Sequence, residues 1–434
     1  MIAYDDAPLR RFHVRIGAAS TGGVFADGFG LGIIGIALSL AAPQLELTSI
    51  WLGLLGGASL AGLFLGALLT GPVADHFGRR SIFATNMLVA AGLSVLQLGV
   101  TSGAQLLILR LAIGFVLGTD YVVSKTLLTE FIPRRFRGRV LGTLSVAWAG
   151  GYACAYAVGF ALVHRGPGSW RWMLLTSALP CLCVAPLRIT VPESPLWLIK
   201  HGQRERAERI VAAKLGSGIV LPEPAIVAQL RGRWRQLLAP RWRLRTLVGC
   251  TFFTCQVIPY FALGTFVTQV MAALDLKGGY VGGLIYNLSL LLGAIAGLMI
   301  VDRISRRAFL IGSFASGALT LLILSAWPGA PAPLIVFLFA VFAGVISAAS
   351  NLVYVYLPEL YPTDLRASGI GLAIAASRVG SAVSTFLLPV IVEAYGPRSA
   401  LGACVAVLVI GWIVCQRWAP ETRNLSLSSF DQGA

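Results

Sequence analysis

Apolar segments of membrane-spanning length alternate with short polar turns along nearly the whole chain. They fall at 16–41, 51–71, 82–101, 105–128, 140–163, 170–190, 246–270, 279–300, 308–327, 332–356, 367–391 and 399–418. About 20 predominantly apolar residues suffice for one helical crossing. The pattern therefore predicts an all-α membrane protein of twelve transmembrane helices. One long polar stretch, 191–245, divides six spans from six. Within it, 194–215 has helical spacing with Lys200, Arg204, Glu205, Glu208 and Arg209 on one face. It reads either as an interfacial or cytoplasmic helix or as a solvated connector. The expected organisation is an N-terminal six-helix bundle (1–190), a cytoplasmic linker with short helices (191–245), and a C-terminal six-helix bundle with a short tail (246–434).

Composition narrows the class further. Apolar residues make up 57% of the 434-residue chain and charged ones 12%, about half the charged share of a soluble domain. That excludes an ordinary soluble domain, a disordered chain and a disulfide scaffold. The net charge of +16 would raise nucleic acid as a partner in a soluble protein. Here 30 of the 34 basic residues are Arg, gathered in short runs between spans, as the positive-inside rule requires. With the N-terminus in the cytoplasm, the opposite side keeps only Arg165, Arg171, Lys277 and Arg398 in its loops. Both termini are thus expected inside, in a bacterial plasma membrane, with the bilayer as a partner and no nucleic acid. No cleavable leader is expected, because the first fourteen residues are polar or mixed. None of the seven Cys forms C-x-x-C, so neither a metal site nor a redox motif is indicated.

The chain repeats itself. Asp75-His-Phe-Gly78-Arg79-Arg80 after span 2 matches Asp302-Arg-Ile-Ser305-Arg306-Arg307 after span 8, offset by 227. The stretch from Glu130 to Arg137 after span 4 matches that from Glu359 to Arg366 after span 10, offset by 229. Pro192-Glu193-Ser194 after span 6 matches Pro420-Glu421-Thr422 after span 12, offset by 228. Three motifs at nearly one offset imply two parallel halves related by an axis along the membrane normal.

These residues resemble the major facilitator superfamily. Gly71-Pro-Val-Ala-Asp75-His-Phe-Gly78-Arg79-Arg80 is similar to its loop 2–3 signature. Pro192-Glu-Ser-Pro195, Pro420-Glu-Thr422 and Glu359-Leu-Tyr-Pro362 with Arg366 and Gly369 resemble the sugar-porter branch. Asp27-Gly28-Phe29-Gly30 in span 1 resembles the D-G-Y-D of aromatic-acid and metabolite proton symporters, with Gly30 in place of the second acid. Gly118-Thr-Asp120-Tyr121 and Ser377-Arg378-Val-Gly380 look more like metabolite and organic-acid symporters than facilitative glucose carriers. The resemblance implies two pseudo-symmetric six-helix bundles, the major facilitator fold, rocking about a central site.

Intramembrane ionisable residues are costly and are functional candidates by default. Asp27 lies 12 residues past Arg15, about 18 Å along a helix, near the bilayer middle. Asp120 lies ten residues before Glu130. Both are candidate proton-coupling residues, against the alternative of structural hydrogen bonds or ion pairs. Arg378, 12 residues past Arg366, needs an anion at that depth. It is expected either to pair with Asp27 or Asp120 or to hold a substrate carboxylate. Lys125 reads as a structural residue near the cytoplasmic mouth, and Arg110 as a snorkelling residue at the outer edge. Trp148, Tyr152, Gln256, Tyr260, Asn287 and Asn351 are candidate substrate contacts, as a sugar-like ligand needs amides and stacking aromatics. Pro259 is the candidate position for a gating bend.

The loop charges Asp75, Arg79, Arg80, Glu130 and Arg137, with Asp302, Arg306, Arg307, Glu359 and Arg366, can form salt bridges between helix ends; in the resembled family such clusters shut the cytoplasmic gate. The acids argue against a purely topological role, since the positive-inside rule needs none. No phosphate loop, H-E-x-x-H or G-x-S-x-G is present, so neither an enzyme nor a cofactor is expected. The reading is a secondary transporter, expected to be a monomer, moving a small polar metabolite with protons. Its alternatives are a neutral sugar or polyol porter, drug efflux, and a non-transporting sensor.

Overall fold

The computed structural model describes residues 2–216, 218–222, 234–274, 279–361 and 363–422. Lys277 and Pro362 lie outside these residues, as do the middle of the linker and the tail beyond 422. Twelve helices among the described residues are long and apolar enough to cross a membrane. The first half holds α1 Arg11–Gln44, α2 Ser49–Phe77, α3 Arg80–Leu96, α4 Gly103–Phe131, α5 Arg134–Leu162 and α6 Ser169–Ile189, the last interrupted at Ser177. Two short helices follow, α7 Pro195–Lys200 and α8 Arg204–Lys214, within the stretch whose spacing predicts a helix. The second half holds α9 Arg243–Ala273, α10 Gly279–Ile300, α11 Arg306–Ala326, α12 Ala332–Ala349, α13 Leu352–Glu359, α14 Thr363–Tyr395 and α15 Pro397–Trp418. The predicted span 332–356 is thus two helices, broken at Ser350 and Asn351.

Local chemistry explains the ends. Thr48, Ser102, Ser194 and Ser305 accept backbone N–H bonds from the first turns of α2, α4, α7 and α11, satisfying donors that a helix start leaves unpaired. Gly78 ends α2 at φ 93°, a conformation that side-chain-bearing residues avoid.

Within each half, glycines bring backbones into contact. A methyl at Gly114 would overlap the Ser59 carbonyl oxygen, and one at Gly66 the Phe115 carbonyl oxygen, locking α2 to α4. In the second half Gly293, equivalent to Gly66, meets the Gly344 carbonyl and Gly297 the Ala348 carbonyl, locking α10 to α12. Large apolar side chains such as Leu179, Leu292 and Phe337 stand exposed on the outside, as a lipid-facing surface of satisfied helices allows.

The halves meet along α1 with α9, α2 with α14, and α5 with α10. On the side away from the termini the seam is polar. The Ser39 and Tyr280 hydroxyls lie 3.1 Å apart, the Tyr156 and Thr268 hydroxyls 2.7 Å apart, and Gln269 Nε2 donates to the Gly35 carbonyl at 3.2 Å. On the termini side, a small parallel pair joins β1 Ile2–Ala3 to β2 Ile219–Val220. Tyr4 buries itself there among Leu198, Ile199, Ala207 and Val211 of α7 and α8. The backbone irregularity of α9 falls at Phe266 (φ −110°, ψ 22°). The bend expected near Pro259 therefore lies seven residues further on.

Candidate functional site

A cavity of about 70 Å³ lies between the halves. Tyr121, Ser145 and Trp148 line it from the first half, and Phe253, Gln256, Val257, Tyr260, Phe261, Ser350, Val353, Tyr354 and Arg378 from the second. Ser145 and Ser350 are 3.0 Å apart and tie the two halves at its wall. Gln256 donates from Nε2 to the Ile346 carbonyl at 3.0 Å, while its buried Oε1 has no partner among the described residues.

Arg378 is the charged member of this lining. Its side chain is 4% exposed. The guanidinium carbon lies 5.3 Å from the Tyr121 ring centroid, 5.7 Å from Phe261 and 5.9 Å from Phe253. Such cation–π contacts compensate a buried guanidinium only partly. The Tyr121 side chain hydrogen-bonds it, but among the described residues its buried Nε has no hydrogen-bond partner and no ion pair includes it. The expected pairing with Asp27 or Asp120 is therefore not made. Lys125 joins the same cluster, its Nζ 3.5 Å from the Tyr121 centroid and 4.7 Å from that of Tyr354.

Asp27 and Asp120 sit elsewhere, inside the first half, and both are wholly buried. The partner of Asp120 is Arg188, near the end of α6. Its guanidinium meets both carboxylate oxygens, Nη2 to Oδ2 at 3.0 Å, and also bonds the Ser124 hydroxyl at 3.2 Å and the Ala19 carbonyl at 3.2 Å. The Phe83 ring packs on it at 4.2 Å. Gly23 makes the room, since a methyl there would collide with the Arg188 guanidinium. Asp27 lies next to this pair, interacting electrostatically with both members. Its carboxyl lies against that of Asp120 and takes no part in the Asp120–Arg188 ion pair.

Arg188 was not legible as a site residue. It falls just inside the predicted end of span 6, where a basic residue reads as an interface anchor. Its signal was its place before the span's end rather than after it. Arg110 is a second correction. Rather than snorkelling, it is fully buried and donates from Nη2 to the Gly30 carbonyl at 2.9 Å.

Of the other candidate substrate contacts, Trp148, Gln256 and Tyr260 line the cavity, and Tyr152, Asn287 and Asn351 do not. Tyr152 backs Tyr260 with ring centroids 6.3 Å apart. Asn287 donates to the Gly283 carbonyl at 2.8 Å, and Asn351 to the Ala294 carbonyl at 3.1 Å. Their Nδ2 groups are spent on helix backbones, while each buried Oδ1 has no hydrogen-bond partner among the described residues.

The loop charges form two equivalent clusters on the termini side. Arg79 pairs with Asp75 at 3.1 Å and with Glu130, and Arg306 with Asp302 at 3.0 Å and with Glu359 at 3.7 Å. Glu193 accepts the backbone N–H groups of Arg79 and Arg80, each at 3.1 Å, and Glu421 those of Arg306 and Arg307 at 3.1 and 3.2 Å. A carboxylate at a helix start satisfies free N–H groups and the helix dipole together. Arg137 reaches Asp5 at 2.9 Å, Arg307 donates to the Gln416 carbonyl at 2.7 Å, and Arg366 to the Pro358 carbonyl at 3.2 Å. Each of these ion pairs stays within one half. Among the described residues, the charges brace helix ends inside a bundle and do not bridge the two bundles. Glu193 and Glu421, visible in the sequence only as part of a repeat, are the residues that organise both clusters.

The chain matches the family model described as sugar (and other) transporter over residues 16–434. It is 40% identical over 426 residues to the inner membrane metabolite transport protein YgcS of Escherichia coli, covering 98% of this chain and 95% of that protein. It is 28% identical over 392 residues to the niacin transporter NiaP of Acinetobacter baylyi, covering 87% and 86%. Its fold is similar to the Escherichia coli xylose transporter XylE in a partially occluded inward-open conformation, with a TM-score of 0.80 at 18% identity, covering 96% of this chain and all of that one.

Proposed function

Since this chain belongs to the sugar (and other) transporter family of the major facilitator superfamily, and is an integral membrane secondary transporter, we propose that it imports a small organic anion by proton symport. The observation that carries this reading is the buried Arg378 in the cavity between the halves, with no carboxylate paired to it among the described residues. A guanidinium at such depth without a carboxylate partner is expensive. A substrate carboxylate would satisfy it, and the planar fork suits bidentate pairing. Trp148, Gln256 and Tyr260 would complete the site.

Protons are assigned to the first half. Asp27 lies beside the Asp120–Arg188 pair and takes no part in it. Protonating Asp27 would leave that pair neutral; deprotonating it would place a second negative charge there. Alternating access would connect this change to the cavity through α4, which carries both Asp120 and Tyr121. The basic loop bias supports both termini in the cytoplasm, and the chain would work as a monomer.

The test is uptake in proteoliposomes under an inward proton gradient, using matched carboxylates, their amides, and a neutral hexose. Carboxylate accumulation that Arg378→Gln abolishes supports the reading. Hexose accumulation that survives Arg378→Gln replaces it with the neutral-sugar porter.

A further inference from the structure

A second cation, Lys125, lies directly behind two of the rings that line the cavity. It comes from the half opposite Arg378 and contacts the rings of Tyr121 and Tyr354. The Arg378 guanidinium carbon lies 5.3 Å from the same Tyr121 centroid that Lys125 Nζ approaches to 3.5 Å. The two cations are therefore less than twice that larger distance apart, and both meet the Tyr121 side chain. No lining residue is acidic, and no ion pair among the described residues includes either cation. Like charges this close repel each other more strongly in a low-dielectric interior than in water. A ligand carrying one negative charge neutralises only half of the pair.

We propose that the substrate carries two anionic groups, one taken by Arg378 and the other by Lys125, so that a short dicarboxylate or a comparable dianion bridges the two halves. This rests on the anion-transport reading and sharpens it to a charge class. The placement also gives the bridging a consequence. Lys125 is on α4 of the first half and Arg378 on α14 of the second. A dianion would link the halves across the cavity, whereas a monoanion held by Arg378 would leave the Lys125 side unlinked. Tyr121, touching both cations, fixes their spacing and thereby the length of the chain between the two anionic groups.

The experiment measures binding to the purified full-length protein with matched triplets, each comprising a diacid, its half-amide and its diamide, from succinate to adipate. In at least one triplet the diacid is expected to bind tenfold or more tightly than the half-amide. Lys125→Gln should abolish that preference, and Lys125→Arg should retain it. A half-amide that binds the parent as well as its diacid overturns the dianion proposal and leaves the anion reading standing. Binding of diamides or a neutral hexose that survives Arg378→Gln overturns both. Absence of binding by every diacid overturns the dianion proposal.

Discussion

Asp120 and Arg188 form a fully buried ion pair between the middle of α4 and the end of α6, closed by contact of the guanidinium with both carboxylate oxygens. A buried pair of this kind gains little over an apolar substitute, but stranding one partner is costly. Arg188→Leu leaves Asp120 unpaired beside Asp27 and is expected to destabilise the first half by about 3–5 kcal/mol. Thermal unfolding in detergent should show it, and the double variant Asp120→Leu with Arg188→Leu should recover most of the loss. A single variant that unfolds like the parent would show that the pair is not buried as described.

Asp27 plays a different part, because its carboxylate takes no part in that ion pair. Asp27→Asn is expected to leave the unfolding temperature close to that of the parent. Gradient-driven accumulation should disappear, while exchange of substrate between the two sides persists. Accumulation equal to the parent's under a pH gradient would remove Asp27 from the proton path.

The seam on the side away from the termini is expected to set the balance between conformations. Tyr156→Phe removes one of its hydrogen bonds, the 2.7 Å contact with Thr268, worth about 1 kcal/mol net. The population sealed on that side should fall by about fivefold relative to the open form. Labelling of a cysteine placed at Ser39 by an impermeant reagent reads this directly. Unchanged labelling would mean that the seam is held by apolar packing alone.

Glu359 makes one of the loop clusters pH-dependent. Burial holds its carboxyl above the ordinary value of 4.5, although the Thr422 hydroxyl and Arg306 pull it down. A raised carboxyl favours the protonated folded form. Its contribution is therefore complete below pH 4.5 and lost as pH rises through the folded value. Unfolding temperatures measured from pH 4 to 8 should fall more in the parent than in Glu359→Gln. Parallel curves would count against the burial of this carboxyl.

Much of the architecture was legible because its causes are local. Spans follow from runs of apolar residues, and the repeat of Asp75, Arg79 and Arg80 at Asp302, Arg306 and Arg307 foretold two equivalent clusters. The candidate site was legible only in part. Depth along a helix located Asp27, Asp120 and Arg378 as intramembrane charges, but it gives no information on which way they face. The pairing of Asp120 depends on the long reach of the Arg188 side chain through the gap at Gly23, and on the packing of α1 against α6. Lys125 lay at the correct angle from Asp120 to exclude a pair, yet its rings come from Tyr121 on its own helix and Tyr354 in the other half. Asn287 and Asn351 carry the amides that a sugar site calls for, and only the fold shows them turned to backbone carbonyls.

The glycine contacts between α2 and α4, repeated between α10 and α12, bear on what a transport cycle costs. Helices locked backbone to backbone have no side-chain layer through which to slip, so each pair moves as one piece. A turnover then leaves the great majority of the protein's contacts untouched. The work of switching falls on the seam, on its hydroxyls, amides and aromatic rings and on the close approaches of Gly35 to the Thr265 carbonyl and Gly53 to the Phe386 carbonyl. Economy in such a machine comes from how little it has to rebuild, and turnover rate should respond far more to conservative changes at Ser39, Tyr156 or Ser145 than to comparable changes deep within either bundle.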